Sequence, residues 1–216
     1  PNFSKNKTIY FTFSKPFQNG TLAGTALARA TIKNLTKPEL SNLSIIFAQN
    51  KPTKSKYHFG SRIVISPKNK IFLTIGERGD RKRAQDPFDY AGSIIRIHKD
   101  GSIPKDNPFA SGIKGLPKIW SIGHRNPQGA AWNLKTNSIW TISHGPKGGD
   151  EVNQPLAGKN YGWPIISYGL HYSGAKIGKG SSAPGMEQPV YYWDPSIAPS
   201  GATFYNGQAF PKWKDN

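Results

Sequence analysis

Short β-rich segments joined by tight turns dominate this sequence, and they restrict its fold more than any other feature. The same unit of a strand, a turn of about three or four residues and a second strand occurs at residues 62–77 and again at 129–143. No stretch of twelve residues shows a convincing 3.6-residue periodicity, so less than a tenth of the chain is expected to be helical. Many short strands in repeated hairpins predict an all-β propeller or sandwich.

Other segments rich in aromatic and β-branched residues extend this pattern along the chain. Strands are predicted at 7–15, 25–33, 92–104, 118–123, 189–194 and 202–207. A propeller blade of four strands takes roughly 40 to 45 residues. The 216 residues therefore predict about four or five blades in one partial domain covering residues 1–216. Because the sequence stops where a next strand should start, we expect an incomplete ring whose open edges favour self-association.

The chain is strongly basic, with a net charge of +17 from 29 basic and 12 acidic residues. Such a charge suits a solvated lysine-rich surface, a polyanionic partner, or a pocket for an anionic small molecule. The basic residues are dispersed, and only the segment at 78–83, "RGDRKR", is dense. No basic motif with interleaved aromatic residues is visible, so no nucleic-acid partner is predicted.

Two absences in the sequence exclude whole classes of protein and site. No apolar run approaches the roughly 18 residues that a membrane-spanning helix needs, so no membrane span is predicted. Cysteine is absent, which excludes disulfides and thiolate metal sites. The first residues, "PNFSKNKTIY", contain neither an initiator Met nor the apolar core of a signal peptide, so we expect a mature form or a fragment.

Three local features are ambiguous when taken alone. His58, in "KYHFGSR", lies beside aromatic residues, where a histidine is more often structural than catalytic. Arg125 and Asn126 occupy a predicted turn, which by itself indicates nothing. The glycine-rich segment at 143–164 is either a wide solvated loop or a backbone shaped to direct carbonyl oxygens at a ligand.

Five motifs in a fixed order resolve this ambiguity. They are "YHFGSRIVISPKNKIFLTIGERG", "GSIIRIHKDGSIPKDNPF", "IWSIGHRNPQGAAWN", "SHGPKGGDEVN" and "AGKNYGWP". Together they resemble the soluble quinoprotein sugar dehydrogenases, which are six-bladed β-propellers that use pyrroloquinoline quinone (PQQ). The aldose sugar dehydrogenases are the more similar branch, and the resemblance is dense between residues 58 and 164.

The resemblance implies a role for each residue of a pocket. His58 matches the general base that takes the proton of the sugar hydroxyl, and imidazole suits that role because its unperturbed pKa is about 6.5. Arg125 and Asn126 match residues at the quinone oxygens, where an arginine would stabilise developing negative charge. Gln128 and Glu77 are further candidates for the cofactor pocket, although members often carry Asp where this chain has Glu77.

The resemblance also implies calcium at the glycine-rich segment. The backbone carbonyls of Gly145 and Pro146 would hold the Ca²⁺ that bridges to PQQ. Glu151 and the backbone at Tyr161 would contribute to a second, structural Ca²⁺. Ca²⁺ takes six to eight oxygen ligands, including backbone carbonyls, which is consistent with this segment.

The activity implied by the resemblance is oxidation of an aldose sugar at C1, with hydride transfer to PQQ and electrons leaving to an external acceptor. The implied location is periplasmic or secreted. The last blades of the family supply further basic residues that bind the PQQ carboxylates, so this chain is expected to have impaired activity. The alternative is a propeller-derived binding or assembly module without catalysis.

Overall fold

The computed structural model describes residues 3–214 and confirms the all-β class. Strands account for 34% of the residues and helix for 7%, below the predicted tenth. The described range has one four-residue α-helix, α1 (Phe3–Asn6), and 3₁₀ segments at Gln18–Gly20, Arg81–Gln85 and Pro211–Trp213. None of its helices is long and apolar enough to cross a membrane.

The first three strands form an antiparallel sheet, which we call sheet 1. Its strands are β1 (Thr8–Phe17), β2 (Leu22–Ile32) and β3 (Leu40–Ala48), with β2 in the middle. The centre of β2, residues 26–30, consists of Ala, Leu and Arg side chains, of which all but Arg29 are buried. The central strand therefore packs on neighbours at both faces, as its apolar composition requires.

The next eight strands form two four-stranded antiparallel sheets in which consecutive strands are neighbours. Sheet 2 contains β4 (Ile63–Ile65), β5 (Lys70–Thr74), β6 (Ile94–His98) and β7 (Ile119–Ser121). Sheet 3 contains β8 (Pro127–Asn133), β9 (Ser138–Ser143), β10 (Asp150–Asn153) and β11 (Tyr191–Trp193). A four-stranded meander of this kind is the blade of a β-propeller.

Sheet 2 lies between the other two sheets, and the core fills both gaps. Alternate residues of β5 point to opposite faces, so Ile71 and Leu73 pack in one cluster with Leu27 of sheet 1. Phe72 packs in a second cluster with Ile139 of sheet 3. Leu73 is fully buried, and burying such a side chain contributes about 1.5 to 3 kcal/mol. Strands that are buried on both faces thus hold the three sheets face to face.

The predicted strands are found except for one, and two strands were not predicted. Residues 202–207 form no strand, because they pair with no strand of the described range, and none of them is buried. The sequence did not indicate β3, whose apolar residues do not alternate, or β10, which lies in the glycine-rich segment. Three sheets, rather than four or five, occupy the described chain, because long connections such as 99–118 and 154–190 contain almost no strand.

Candidate active site

A pocket of about 530 Å³ brings together six of the residues singled out in the sequence. These residues are His58, Arg125, Asn126, Gln128, Gly145 and Pro146. They come from the connection before β4, from the start of β8 and from the turn after β9. A volume of this size falls in the range of small-molecule sites.

His58 lies on the connection between β3 and β4 and is paired with Glu77. The imidazole Nδ1 contacts the Glu77 carboxylate, and that carboxylate oxygen also accepts a hydrogen bond from the amide of Gly79 at 3.1 Å. The His58 side chain is 22% exposed and that of Glu77 only 1%. A carboxylate at Nδ1 favours the tautomer that carries the proton there, which leaves Nε2 free to accept a proton. The pair therefore has the geometry of an oriented general base.

Glu77 was predicted to line the cofactor pocket, and the structure places it elsewhere. It follows β5 directly and lies behind His58 rather than on the pocket wall. Its amide donates to the carbonyl of Arg125 at 2.9 Å, which ties sheet 2 to the turn before β8. Glu77 thus contacts His58 and is not among the residues that line the pocket, and a role in cofactor binding stays a prediction.

Close backbone contacts fix the position of His58. A Cβ on Gly76 would overlap the carbonyl of His58 and the side chain of Asn126, so only glycine permits this approach. The amide of Gly60 donates to the Asn126 side-chain oxygen at 3.2 Å. His58 itself has a φ of +53°, an unusual conformation for a residue with a side chain. These contacts join the His58 connection to the start of β8.

Arg125 supplies a cation to the same pocket. Its Nη1 donates to the carbonyl of His144 at 2.9 Å, and its guanidinium lies 5.3 Å from the ring centre of Trp163. Burial lowers the pKa of Arg125, and the negative charge of Glu77 opposes that effect. The Nε of Arg125 and the Nε2 of His144 are buried and have no hydrogen-bond partner within residues 3–214. These two unpartnered groups lie at the pocket wall and are shielded from the open pocket.

Asp150 holds the glycine-rich turn that borders the pocket, and sequence reasoning missed this role. Its carboxylate accepts hydrogen bonds from the amide of Gly145 at 2.7 Å and from the Ser196 hydroxyl at 3.1 Å. It also accepts from the amides of Ile197 and Ala198, at 2.8 and 2.7 Å. Asp150 is 1% exposed, and its carboxylate is engaged by three backbone amides and one hydroxyl. It joins the turn after β9 to the segment after β11.

The four residues predicted to hold calcium line a second, small cavity of about 20 Å³. They are Gly145, Pro146, Glu151 and Tyr161. Asn153 donates to the Glu151 carboxylate at 3.0 Å. Burial raises the pKa of Glu151 to about 7, and the negative charge of Asp150 adds to this effect, while the hydrogen bond from Asn153 opposes it. No Lys, Arg or His forms an ion pair with Glu151 in the described part of the chain.

The oxygen donors around this cavity are of the kind that calcium prefers. They are the Glu151 carboxylate and neighbouring backbone oxygens, whereas zinc and copper prefer nitrogen or sulfur ligands. Arg125 and His144 line the same cavity, so a calcium ion there would lie near the positive charge of Arg125. Among residues 3–214 no group of three or more His, Cys, Asp or Glu residues could form a metal cage. The site therefore depends on backbone carbonyls, of which that of Pro146 also accepts from Ser196 at 3.4 Å. Calcium itself stays a prediction.

Sequence reasoning did not identify four further residues that line the pocket. Lys56, Tyr172 and Ser196 line the pocket from connections far apart in the chain. His144 directly precedes the Gly145–Pro146 motif, and that adjacency was a usable signal. Tyr172 reaches the pocket from the long connection between β10 and β11, so only the tertiary structure brings it there.

Comparison with known proteins gives a consistent result. A family model described as "Glucose / Sorbosone dehydrogenase" matches residues 1–216. Aldose sugar dehydrogenase YliI of Escherichia coli K12 is 41% identical over 217 residues, covering 99% of this chain and 58% of that protein.

Solved structures agree in fold as well as in sequence. The soluble aldose sugar dehydrogenase from Escherichia coli, in the apo-form, superimposes with a TM-score of 0.93 at 40% identity, covering 99% of this chain and 62% of that one. The PQQ-bound aldose sugar dehydrogenase from Streptomyces coelicolor gives a TM-score of 0.76 at 28% identity, covering 96% of this chain and 55% of that one. The chain thus spans a little more than half the length of these relatives.

Proposed function

Because this chain belongs to the glucose/sorbosone dehydrogenase family, we propose that it forms part of the active site of a PQQ-dependent dehydrogenase that oxidises an aldose sugar at C1. One observation carries the proposal. His58, held by the Glu77 carboxylate behind it, and the Arg125 cation line one pocket. A binding module would not require a base held in one tautomer.

His58 is the proton acceptor in this proposal. Its Nε2 would take the proton of the sugar C1 hydroxyl, and the Glu77 carboxylate would stabilise the imidazolium that forms. Glu77 is a positioning residue, since it contacts His58 and lies away from the pocket. A positioned general base of this kind contributes about 10²- to 10⁴-fold to a rate.

Arg125, Asn126 and Gln128 are the proposed cofactor-binding residues. When bound, PQQ would supply the hydride acceptor that no side chain provides. Arg125 would donate hydrogen bonds to the cofactor oxygens and balance negative charge there. Asn126 is 3% exposed, and its side-chain oxygen already accepts from Gly60, which fixes its orientation. Lys56 lines the same pocket and adds positive charge for an anionic cofactor.

Calcium is proposed at the glycine-rich turn. Gly145 and Pro146 line both the pocket and the small cavity, so their carbonyls are suitably placed for an ion between the turn and the cofactor. Glu151 and Tyr161 line only the small cavity and would serve the structural ion. A cation there would balance the Glu151 carboxylate, which has no ion-pair partner among the described residues.

The test combines cofactor binding with turnover. The protein is mixed with Ca²⁺ and PQQ, the quinone absorbance is followed, and then glucose and a dye electron acceptor are added. We expect a spectral change on PQQ binding and sugar-dependent dye reduction. His58→Gln should leave the PQQ spectrum unchanged and lower dye reduction by about 10²-fold or more.

His98→Gln is the matched control, because His98 lies on β6 outside the pocket and should leave dye reduction unchanged. No spectral change with PQQ would favour a non-catalytic binding module. PQQ binding with full activity in His58→Gln would show that His58 is not the base.

A further inference from the structure

A further cavity, of about 330 Å³, lies between sheets 2 and 3, and we call it the inter-sheet cavity. Its walls include residues at the start of β5, such as Lys70, and in the turn from β8 to β9, such as Asn137. The candidate active site lies at the other ends of these strands, next to the end of β9 and the start of β8. The two cavities share no lining residue, so the inter-sheet cavity is a separate site.

Aromatic rings form one side of the inter-sheet cavity. Phe72 lies 5.5 Å from Trp120 and 5.5 Å from Trp132, measured between ring centres. The indole N–H of Trp120 donates to the carbonyl of Pro155 at 2.9 Å. That of Trp132 is buried and has no acceptor within residues 3–214. The wall thus offers the surface of aromatic rings to a ligand.

Positive charge forms the other side. Lys68, Lys70 and Arg96 line the cavity, and none of its described lining residues is acidic. Arg96 is 8% exposed and lies 4.9 Å from the Trp120 ring centre, held by Asp106 at 2.9 Å outside the cavity. No carboxylate pairs with Lys68 or Lys70 in the described chain. Lys70 Nζ contacts Nδ1 of His98 at 3.0 Å, and Arg96 is paired with Asp106, so the positive charge without a carboxylate partner is that of Lys68 and Lys70, and this charge favours an anion.

Four neutral polar side chains of the cavity are already hydrogen-bonded. Gln154 donates to the Ser138 hydroxyl at 2.9 Å, and the Thr136 and Ser138 hydroxyls are 2.7 Å apart. The Ser66 hydroxyl accepts from the amide of Lys70 at 3.1 Å. A neutral ligand with many hydroxyls would therefore find few free partners, whereas Lys68 and Lys70 have no carboxylate partner in the described chain.

We propose that the inter-sheet cavity binds a small aromatic carboxylate. The ring of such a ligand would pack against Phe72, Trp120 and Trp132, where aromatic pairs are favourable at these spacings. Its carboxylate would lie near Lys70 and Lys68. This site is independent of the proposed oxidation chemistry, because it shares no residue with that pocket.

Calorimetric titration with 2-naphthoate tests the proposal on the full chain. We expect saturable 1:1 binding with a dissociation constant of about 1 mM or tighter, as suits a ligand of this size. The neutral isostere 2-naphthamide should bind about tenfold more weakly, because it lacks the charge that the lysines match. Acetate, which lacks the rings, should not bind detectably.

Variants assign that binding to the cavity. Lys70→Gln and Trp132→Phe should each weaken 2-naphthoate binding by about tenfold. Lys114→Gln removes an exposed lysine outside the cavity and should leave it unchanged, and so should Arg125→Gln in the other pocket. Thermal melts confirm that each variant is folded.

Several results would overturn the proposal. They are absence of saturable binding, equal affinity for 2-naphthamide, and equal affinity in Lys70→Gln. Loss of binding in Arg125→Gln alone would place the ligand in the other pocket and equally refute a site between the sheets. The comparison of 2-naphthoate with 2-naphthamide is made on the original chain, so it does not depend on the folding of any variant.

Discussion

At the scale of single residues, the His58–Glu77 pair decides how the candidate site can act. Glu77 is almost fully buried, and its second carboxylate oxygen has no hydrogen-bond partner within the described chain. The negative charge of the Glu77 carboxylate is therefore directed at the His58 imidazole. Glutamate is longer by one methylene than the aspartate that the family resemblance led us to expect, and this longer side chain contacts the imidazole.

Glu77→Gln should lower the turnover number for sugar oxidation about ten- to a hundredfold while leaving KM nearly unchanged. Glutamine keeps the volume but removes the charge that stabilises the imidazolium. Dye-linked kinetics with saturating PQQ and Ca²⁺ measure both constants.

Glu77→Asp is the conservative control and should keep activity within a few-fold of the original. If Glu77→Gln is as active as the original chain, the carboxylate does not assist His58. A rise in KM without loss of turnover would likewise assign Glu77 to substrate binding.

At the scale of elements, the turn between β9 and β10 is the structural centre of the site. Glycine permits its close backbone path, since a Cβ on Gly145 would overlap the carbonyls of Gly148 and Gly149. Asp150, the first residue of β10, pins the turn through four hydrogen bonds. The turn thus depends on the Asp150 carboxylate and, as proposed, on a bound calcium ion.

Asp150→Ala should destabilise the fold by about 3 kcal/mol, because it removes a buried carboxylate that accepts hydrogen bonds from three backbone amides and one hydroxyl. Urea unfolding measures the change. Glu39→Ala, which removes an exposed carboxylate, is the control and should stay within about 0.5 kcal/mol of the original. Equal stability of both variants would show that the turn does not rely on Asp150.

Removal of calcium should lower the melting temperature. An ion bound only to the native state at a hundredfold excess over its Kd adds about 2.7 kcal/mol to the free energy of unfolding. Scanning calorimetry with Ca²⁺ and with EDTA measures the shift, and Glu151→Gln should make it smaller. An unchanged melt, with no ion found at Glu151 by anomalous scattering, would exclude calcium from this cavity.

At the scale of the whole molecule, the two core clusters join the three sheets through sheet 2. The outer faces are less covered, since Leu43, Ile45 and Tyr191 are all about half exposed or more. Self-association through open sheet edges stays a prediction. The assignment of residues 1–216 to one partial domain also stays a prediction. Stability of the whole also depends on pH through His124, which is 2% exposed and stacked on Tyr161 at 4.8 Å between ring centres.

Acidification should destabilise the protein partly through His124. Burial lowers the pKa of His124 to about 3, against about 6.5 in an unfolded chain. Between these values the unfolded state binds more protons, so the free energy of unfolding falls as pH falls, by at most about 1.4 kcal/mol per pH unit. Urea midpoints from pH 7 to pH 4 measure the slope.

His124→Asn is expected to be less stable at pH 7, because it loses the 2.8 Å contact with Ser121 and the stacked ring. Its stability should fall less steeply with acid than that of the original chain. If the two slopes are the same, the buried histidine does not account for the acid sensitivity.

The sequence by itself predicted the all-β class and most strands from local signals, and the resemblance carried by its ordered motifs singled out the six residues that the structure brings to one pocket. Alternation with a period of two reports the two faces of a strand, and ordered motifs around His58, Arg125 and Gly145 mark the turns that meet at the site. Such signals are read within a few residues of one another and need no knowledge of the distant chain.

Only the tertiary structure decided the partners of those residues. Glu77 proved to hold His58, Asp150 proved to pin a turn against residues 196–198, and residues 202–207 formed no strand. Each outcome depends on groups brought together from distant positions, and a hydrogen bond or a strand pair forms only where both partners arrive. The local sequence indicates at most one of the two partners of such a contact. The contacts that orient the site residues therefore become visible only in the folded chain.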